Sequence, residues 1–589
     1  EWKNSVQTNI TLEQKLDFIT KGLIFNFRFG YDTYNYNKNR RVKYPEQWMA
    51  ERLRDSNGNI VFNRVEQEAL LHQDSHASGD RREYLEAELA YSNSFGNHNI
   101  GSVLKYTQDK KVNTSSIGGD IMSGIDRRNQ SLVGHITYNW KYRYMLDFNF
   151  GYNGSENFAK GNKFGFFPAY SGAWNIGEEA FIKDNIEWID MLKVRYSYGK
   201  VGNDEIGRRF PFLPEFNNVK LPTYGELETG YNWGDMDNHF AYNGLTNTTL
   251  ANSSVTWEIA KKHNLGIDLN ILNNKFNITV DFFKEKREGI YMTRHYLPQI
   301  VGIQGQNPSA NLGVVKNKGF DGNFALHQKL GNVDFKLRGN FTYSKNEHGE
   351  SDQPYSNYPY TGWQGFRVGQ NRGLVALGLF KDYEDIRNSP TQTFGEVMPG
   401  DIKYKDINGD GKIDDNDIVP IGATVTPNLI YGFGASANWN GFDFNLHFQG
   451  SGRSHFFING FTVYPFSNGE WGNILTDVVK SSRWILEENE DINAKYPRLS
   501  YGGNANNYRA STHWLRNGSY LRLKTLEIGY TIPKQIVNKI HLNNVRIHFV
   551  GQNLLTFANF KLWDPEIGSS NGQQYPLGKT FTLGLTLNL

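Results

Sequence analysis

The sharpest chemical signal in the chain is the stretch DINGDGKIDDND, residues 406–417. With Asp406 as position one, side-chain oxygens fall at Asp406, Asn408, Asp410, Asp414 and Asp417, which are positions one, three, five, nine and twelve. Gly411 stands at position six, where the turn is sharpest, and Lys412 offers its carbonyl at position seven. This is the spacing of a calcium loop, with Asp417 where an EF-hand carries Glu. The crowded carboxylates repel one another unless a cation neutralises them, and Ile413 offers an apolar anchor. No helix pair flanks it, so the expectation is a structural calcium ion in a surface loop, not a calcium switch. The competing reading is an Asp- and Gly-rich turn that holds no metal.

Aromatic residues in polar segments form a second candidate set: Trp233, Tyr355, Tyr358, Tyr360, Trp363 and Trp471. Their rings could stack on sugars or hold peptide side chains; equally they could pack loops together or sit in interfacial girdles. Catalytic readings fare poorly. The 14 His make no HExxH or other paired metal spacing, there is no GxSxG and no Walker loop, and there is no cysteine. The usual nucleophile and metal constellations are therefore missing, and the chain is read as non-enzymatic. A formal charge of +2 sets up no field that would draw nucleic acid. Arg40, Arg41 and Lys43 read as solvated groups or lipid-headgroup contacts.

These groups need a scaffold, and it is written in alternation of period two. The last eleven residues, KTFTLGLTLNL, place Phe581, Leu583, Leu585, Leu587 and Leu589 on one face and Thr582, Gly584, Thr586 and Asn588 on the other. A strand with one apolar and one polar face follows, and about ten residues is the length of a tilted membrane crossing. The pattern recurs in 23–31, 144–152, 265–282, 333–343 and 429–448, with charged and amide residues on the second face. Mean hydropathy is -0.60, and no run of about 18 apolar residues exists, which excludes helical spans but not a barrel whose alternate residues face lipid. A soluble barrel would have to bury this many Phe and Tyr inside; a membrane barrel turns them outward.

Short turns near residues 20, 97, 141, 273, 331, 440 and 538, and one with a little helix through 178–190, alternate with long polar segments at 32–82, 202–256, 346–427 and 452–519. Eight turns joining strand pairs and a terminal strand give about seventeen strands, with short turns in the periplasm and long loops outside. Apolar parity slips between Leu523 and Leu526, which predicts a one-residue bulge near Lys524. Single-chain bacterial barrels have even strand numbers. The chain is therefore expected to be the carboxyl-terminal part of a longer precursor, with an odd number of strands and the secretion signal upstream of its EWKNSVQTN start.

Three stretches resemble one family, the SusC/RagA-like TonB-dependent transporters of the Bacteroidetes outer membrane. They are KFGFFPAYSGAWNIGEEAFIKDN with WIDMLKVRYSYGKVGND (163–185 and 188–204), PGDIKYKDINGDGKIDDNDIVPIG (399–422), and NGSYLRLKTLEIGYTIP with VRIHFVGQNLLTF, the triplet Asp564, Pro565, Glu566 and YPLGKTFTLGL near the end. The resemblance covers essentially the whole chain. It implies an all-β fold, a transmembrane antiparallel β-barrel of 22 strands, of which residues 1–589 supply about the last 17, with the plug and first strands in an upstream fragment. It further implies an outer-membrane importer of oligosaccharides or peptides, surrounded by lipid, energised by TonB through an upstream segment and closed by a SusD-like surface lipoprotein. A passive porin or a surface-binding scaffold is the alternative reading. Leu589 departs from the aromatic residue that ends many such barrels.

Overall fold

Each alternating segment of the sequence becomes a strand. The computed structural model describes residues 1–113, 124–219, 231–234, 239–242, 244–295, 300, 307–353, 356–467, 474–540 and 542–588, the side chains of 52, 217–248 and 540 excepted. Seventeen strands join in one sheet. In chain order they are β1 Trp2–Lys15, β2 Leu23–Val42, β3 His72–Phe95, β4 His98–Asn113, β5 Arg127–Trp140, β6 Tyr144–Ser155, β7 Phe164–Asn175 and β8 Ile189–Asn203. They continue as β9 Glu258–Ile271, β10 Phe276–Thr293, β11 Ser309–Leu330, β12 Val333–His348, β13 Leu429–Trp439, β14 Phe442–Gly452, β15 Tyr520–Thr531, β16 Asn544–Ala558 and β17 Thr580–Asn588.

Tight hairpins close where the sequence places them. Trp439 pairs with Phe442 across Asn440 and Gly441, whose φ of 47° and 88° are the left-handed pair of a two-residue type I′ turn. The turn between β7 and β8 carries a 3-10 turn, Ile176–Glu178, and a short helix, Ala180–Lys183. The expected bulge is present: Phe448 pairs with Leu523 and His447 with Thr525, leaving Lys524 as the extra residue and returning both apolar sets to one face.

Two long segments are less irregular than expected. In 32–82, β2 continues to Val42 and β3 begins at His72, in register from Asp32↔Arg82 to Val42↔His72, and Gln47–Arg54 pairs with Ile60–Glu66 between them. No apolar face marks these strand ends, because a face of that kind is required only where a strand meets lipid; in water, backbone pairing suffices. In 202–256, Glu215–Val219 pairs with Gly244–Thr249 and Tyr231–Gly234 with His239–Tyr242.

The chain forms two compact units. The first is Glu1–Lys141, Leu146–Tyr170 and Gly202–Trp257. Exposed and half-buried rings line one face of its strands, with Phe148 against Tyr170, Phe150 against Phe166 and Tyr152 against Phe164 at centroid distances of 5.0, 6.0 and 5.2 Å. The opposite face carries ion pairs, Arg82 to Asp109 at 2.8 Å and Lys105 to Glu88 at 2.7 Å.

The second unit is Tyr142–Met145, Ser171–Val201 and Glu258–Leu589. Leu265, Phe282, Phe320, Phe433, Ile528, Ile547 and the apolar residues of β17 are exposed, Leu583 to 79%. Its polar face is paired: Arg195 reaches Asp281 at 2.7 Å and Asp268 at 3.2 Å, and Arg546 reaches Glu527 at 2.6 Å. Apolar residues exposed in this continuity have hydrocarbon as their solvent, and the paired charges line the wetter side. Near the short turns, Tyr144 stacks on Trp174 at 6.3 Å and Trp439 on Phe442 at 6.3 Å, as an interfacial aromatic girdle requires.

Candidate functional site

The acidic loop and most of the candidate aromatics fall in the long segment between β12 and β13. A segment of that length orders only if it buries something of its own. Leu374, Ile402, Tyr404, Ile413, Phe456, Trp514 and Phe560 are buried together, which draws the segments after β12, β14 and β16 into one hydrophobic core.

At the edge of that core Asp401 is fully buried. Its carboxylate accepts from Met398 N at 2.8 Å, Asn507 Nδ2 at 2.8 Å, Asn504 Nδ2 at 3.2 Å and Arg498 Nη2 at 3.1 Å, with Arg498 Nε 2.7 Å away. A buried carboxylate is tolerable only when satisfied to this degree. Asn507 passes the network on: its Oδ1 accepts from Ile402 N and its carbonyl accepts from Trp514 Nε1, at 2.8 and 2.6 Å. Beside Trp514, burial pushes the His513 imidazole down to about 4, with Arg516 acting in the same direction. A second clamp holds the segment after β16. Arg522, almost fully buried, donates to Asp564 at 2.5 and 2.7 Å, to Glu566 at 2.6 Å and to Thr556 at 3.0 Å.

The acidic loop hangs from this core by Ile413, which is buried, while Lys412 is exposed. The carbonyls of Gly411 and Ile413 accept from Thr391 N and Thr393 N, each at 3.1 Å. Since successive carbonyls of an extended strand alternate in direction, the Lys412 carbonyl is turned away from that pairing. Asp406 accepts from Gly409 N and Gly411 N at 2.6 and 2.9 Å, and Asp410 from Lys412 N at 2.9 Å. Asp414 accepts from Asn416 N at 2.7 Å, and Asp417, fully buried, from Ile407 N and Asp414 N at 2.7 and 2.9 Å. Gly409 and Gly411 have φ of 76° and 80°, a conformation that favours glycine. Each carboxylate oxygen has lone-pair capacity beyond these bonds, and an all-oxygen donor set suits calcium in chemical type. Among the described residues, no group of three or more acidic, His or Cys side chains is gathered as a metal cluster.

Tyr358 and Tyr360 lean on this loop. Their rings stack at 5.6 Å, Asn408 Nδ2 donates to the Tyr358 hydroxyl at 3.2 Å, and the Tyr360 hydroxyl donates to the Asn416 carbonyl at 2.9 Å. Burial, with Asp417 beside it, pushes the Tyr360 phenol up. Trp363 instead covers the Arg372 guanidinium at 4.8 Å, and that cation also donates to the Tyr360 carbonyl at 2.8 Å. The structure thus brings Asn408, Tyr358 and Tyr360 together, with Trp363 linked to them through Arg372. Tyr355 and Trp471 lie outside the described residues, and Trp233 lies in a short strand with its side chain outside them. Sequence reasoning missed Asp401, Arg498, Asn504, Asn507 and Arg522; the PGD and NANN runs around residues 399–401 and 504–507 were the available signals, and neither has a period.

No family model matches the chain. It is 29% identical over 553 residues to the TonB-dependent receptor P3 of Formosa agariphila, an alignment that covers 85% of this chain and 51% of that protein. It is 25% identical over 474 residues to the TonB-dependent receptor SusC of Bacteroides thetaiotaomicron, covering 78% of this chain and 43% of that one. The solved structure of the RagAB peptide transporter matches with a TM-score of 0.73 at 19% identity, over 99% of this chain and 62% of that chain. The chain spans about half the length of the curated relatives it matches. Its fold is the transmembrane antiparallel β-barrel of the outer membrane, and it resembles the SusC/RagA-like TonB-dependent transporters, as its three motif stretches imply. These relatives are receptors and transporters, and no enzymatic family is indicated among them.

Proposed function

We propose that the chain forms wall and outer loops of an active importer of oligosaccharides or peptides, energised through TonB and closed by a SusD-like surface lipoprotein. The observation that carries this reading is that three long segments fold on a common core stapled by Asp401 and Arg522. Such a platform is firm enough for a lid to close against. A barrel of 22 strands encloses a lumen wide enough to need a plug, and a plug has to move for a ligand to pass. The outer membrane holds no ATP, so the work has to come from the inner membrane. The acidic loop in this reading binds a structural calcium ion through Asp406, Asn408, Asp410, Asp414, Asp417 and the Lys412 carbonyl; the ion would neutralise the carboxylates and stiffen the platform.

Uptake of labelled oligosaccharides and peptides by cells lacking TonB function tests the reading. Import is expected to stop there, and to weaken when the lipoprotein is deleted. Entry of large ligands at the normal rate without TonB would favour the passive porin.

A further inference from the structure

An apolar row crosses four neighbouring strands of the second unit: Leu265 on β9, Phe282 on β10, Phe320 on β11 and Tyr343 on β12, each paired with the next. Phe320 meets Phe282 at 6.4 Å and Tyr343 at 5.5 Å. Two residues nearer the long-loop rim, the same face carries His263, Lys284, Lys318 and Lys345, again paired in register. One step further stand Lys261, Lys286, Lys316 and Glu347. The apolar face therefore ends in a block of cations.

That block is short of anions. Glu288 is engaged by Lys261 and Lys286, and Glu347 lies opposite Lys316. Lys284, Lys316, Lys318 and Lys345 are exposed and make no ion pair among the described residues. Like charges directly opposite one another on strands about 5 Å apart destabilise a sheet, so the rows are placed at a cost that an external anion would relieve. A cleft of about 490 Å³ lies among these lysines, with Glu347 and Glu285 also on its wall, the latter engaged by Lys262 and Arg287.

Height in the bilayer says which anion. Lys284 follows the first residue of β10, Phe276, by eight positions, about 27 Å along a strand and about 20 Å of height at a tilt near 40°. An apolar band is about 25 Å tall, so the Lys284 backbone lies about 5 Å below its outer edge, a distance that a lysine side chain spans to put its ammonium at headgroup level, with aromatic rings directly below. We propose that this cleft binds the phosphate groups of an anionic outer-leaflet lipid, whose acyl chains lie over Phe282, Phe320 and Tyr343. A free anion or an acidic protein would meet the cations alone, whereas a lipid meets the cations with its phosphates and the rings below them with its acyl chains. The proposal rests on the membrane placement of the sheet and is independent of whether the protein imports anything.

The test is retention of a diphosphorylated lipid A-type glycolipid by the intact outer-membrane protein in phosphatidylcholine nanodiscs, read by native mass spectrometry. The combined Lys284→Gln, Lys318→Gln and Lys345→Gln variant is expected to bind roughly 100-fold more weakly, and a Lys480→Gln control, in the loop after β14, to bind normally. Should the triple variant fail to fold, by heat-modifiable gel mobility, Lys318→Gln alone is expected to lose roughly five-fold. Unchanged retention by the folded variant, or equal retention of the dephosphorylated glycolipid by the unmodified protein, would overturn the proposal. So would displacement of the glycolipid by inorganic phosphate, which would mark a free-anion site, or by an acidic co-purifying protein.

Discussion

Replacing Asp401 by Ala removes a carboxylate that four donor groups share: Met398 N, Asn504, Asn507 and Arg498. Two side-chain amides and the Met398 N–H then face a cavity, and the Arg498 guanidinium loses its counter-charge. Losing one partner of a buried pair costs about 3–5 kcal/mol. The Arg498 side chain retains 22% exposure, so water can recover part of its solvation and the lower end, about 3 kcal/mol, is the expectation. Asp401→Asn keeps the shape and one acceptor but presents an NH₂ to surrounding donors, for an expected cost of about 2 kcal/mol. The effect belongs to the loop core, because none of the four partners lies on a sheet strand. Hydrogen exchange in detergent should therefore show roughly 100-fold lower protection in 374–404 and 484–514, with β13 and β14 unchanged and the barrel still heat-modifiable. Unchanged exchange in the loops, or simultaneous loss of the sheet, would refute the idea that Asp401 staples a separate core.

Three further outcomes are expected. Calcium should protect residues 399–422 from proteolysis, and Asp410→Ala should abolish that protection without unfolding the sheet; a loop equally resistant with and without the ion would sink the metal assignment. His513 has a folded pKa of about 4 against about 6.5 when unfolded. Its contribution is full above pH 6.5 and is lost as pH falls toward 4, when the unfolded loop takes up a proton the folded one refuses. The loop core should lose up to about 3 kcal/mol across that window, and His513→Gln should flatten the profile. Leu583, 79% exposed in the middle of β17, should tolerate Lys poorly, by about 2–4 kcal/mol in a bilayer; a folding titration in liposomes showing no change would contradict a lipid-facing residue there.

The sheet was legible because lipid imposes a rule on every second residue. Phe581 to Leu587 announce their face without any partner being known, and the parity slip at Lys524 located a bulge to the residue. Where lipid imposes nothing, the sequence is silent: β2 beyond Asp32 pairs with β3 through polar residues that read as loop. The acidic loop was legible as a donor series because its spacing is local. Asp401 was not, since its side-chain partners lie 97 to 106 positions away and nothing near residue 401 names them. Tyr358 and Tyr360 were visible as aromatics, but their contacts with Asn408 and Asn416 depend on how a long segment folds back.

The motif residues fix geometry more than they choose a ligand. In the first stretch, Glu179 accepts from Trp174 Nε1 at 3.1 Å and from the Tyr144 hydroxyl at 2.8 Å, holding a girdle pair beside a short turn. In the second, Asp401 anchors the loop core. In the third, Arg522 of β15 is gripped by the Asp564 and Glu566 of the same motif set. Each is a charged group held by several partners, a carboxylate in the first two and a guanidinium in the third, and each ties a sheet rim or a loop base. Asp401 and Arg522 are buried and have their polar atoms engaged by these partners, so they act on the position of the loops. In the proposed importer, substrate choice would then fall to side chains carried on the stapled loops, and the platform would set where those side chains stand.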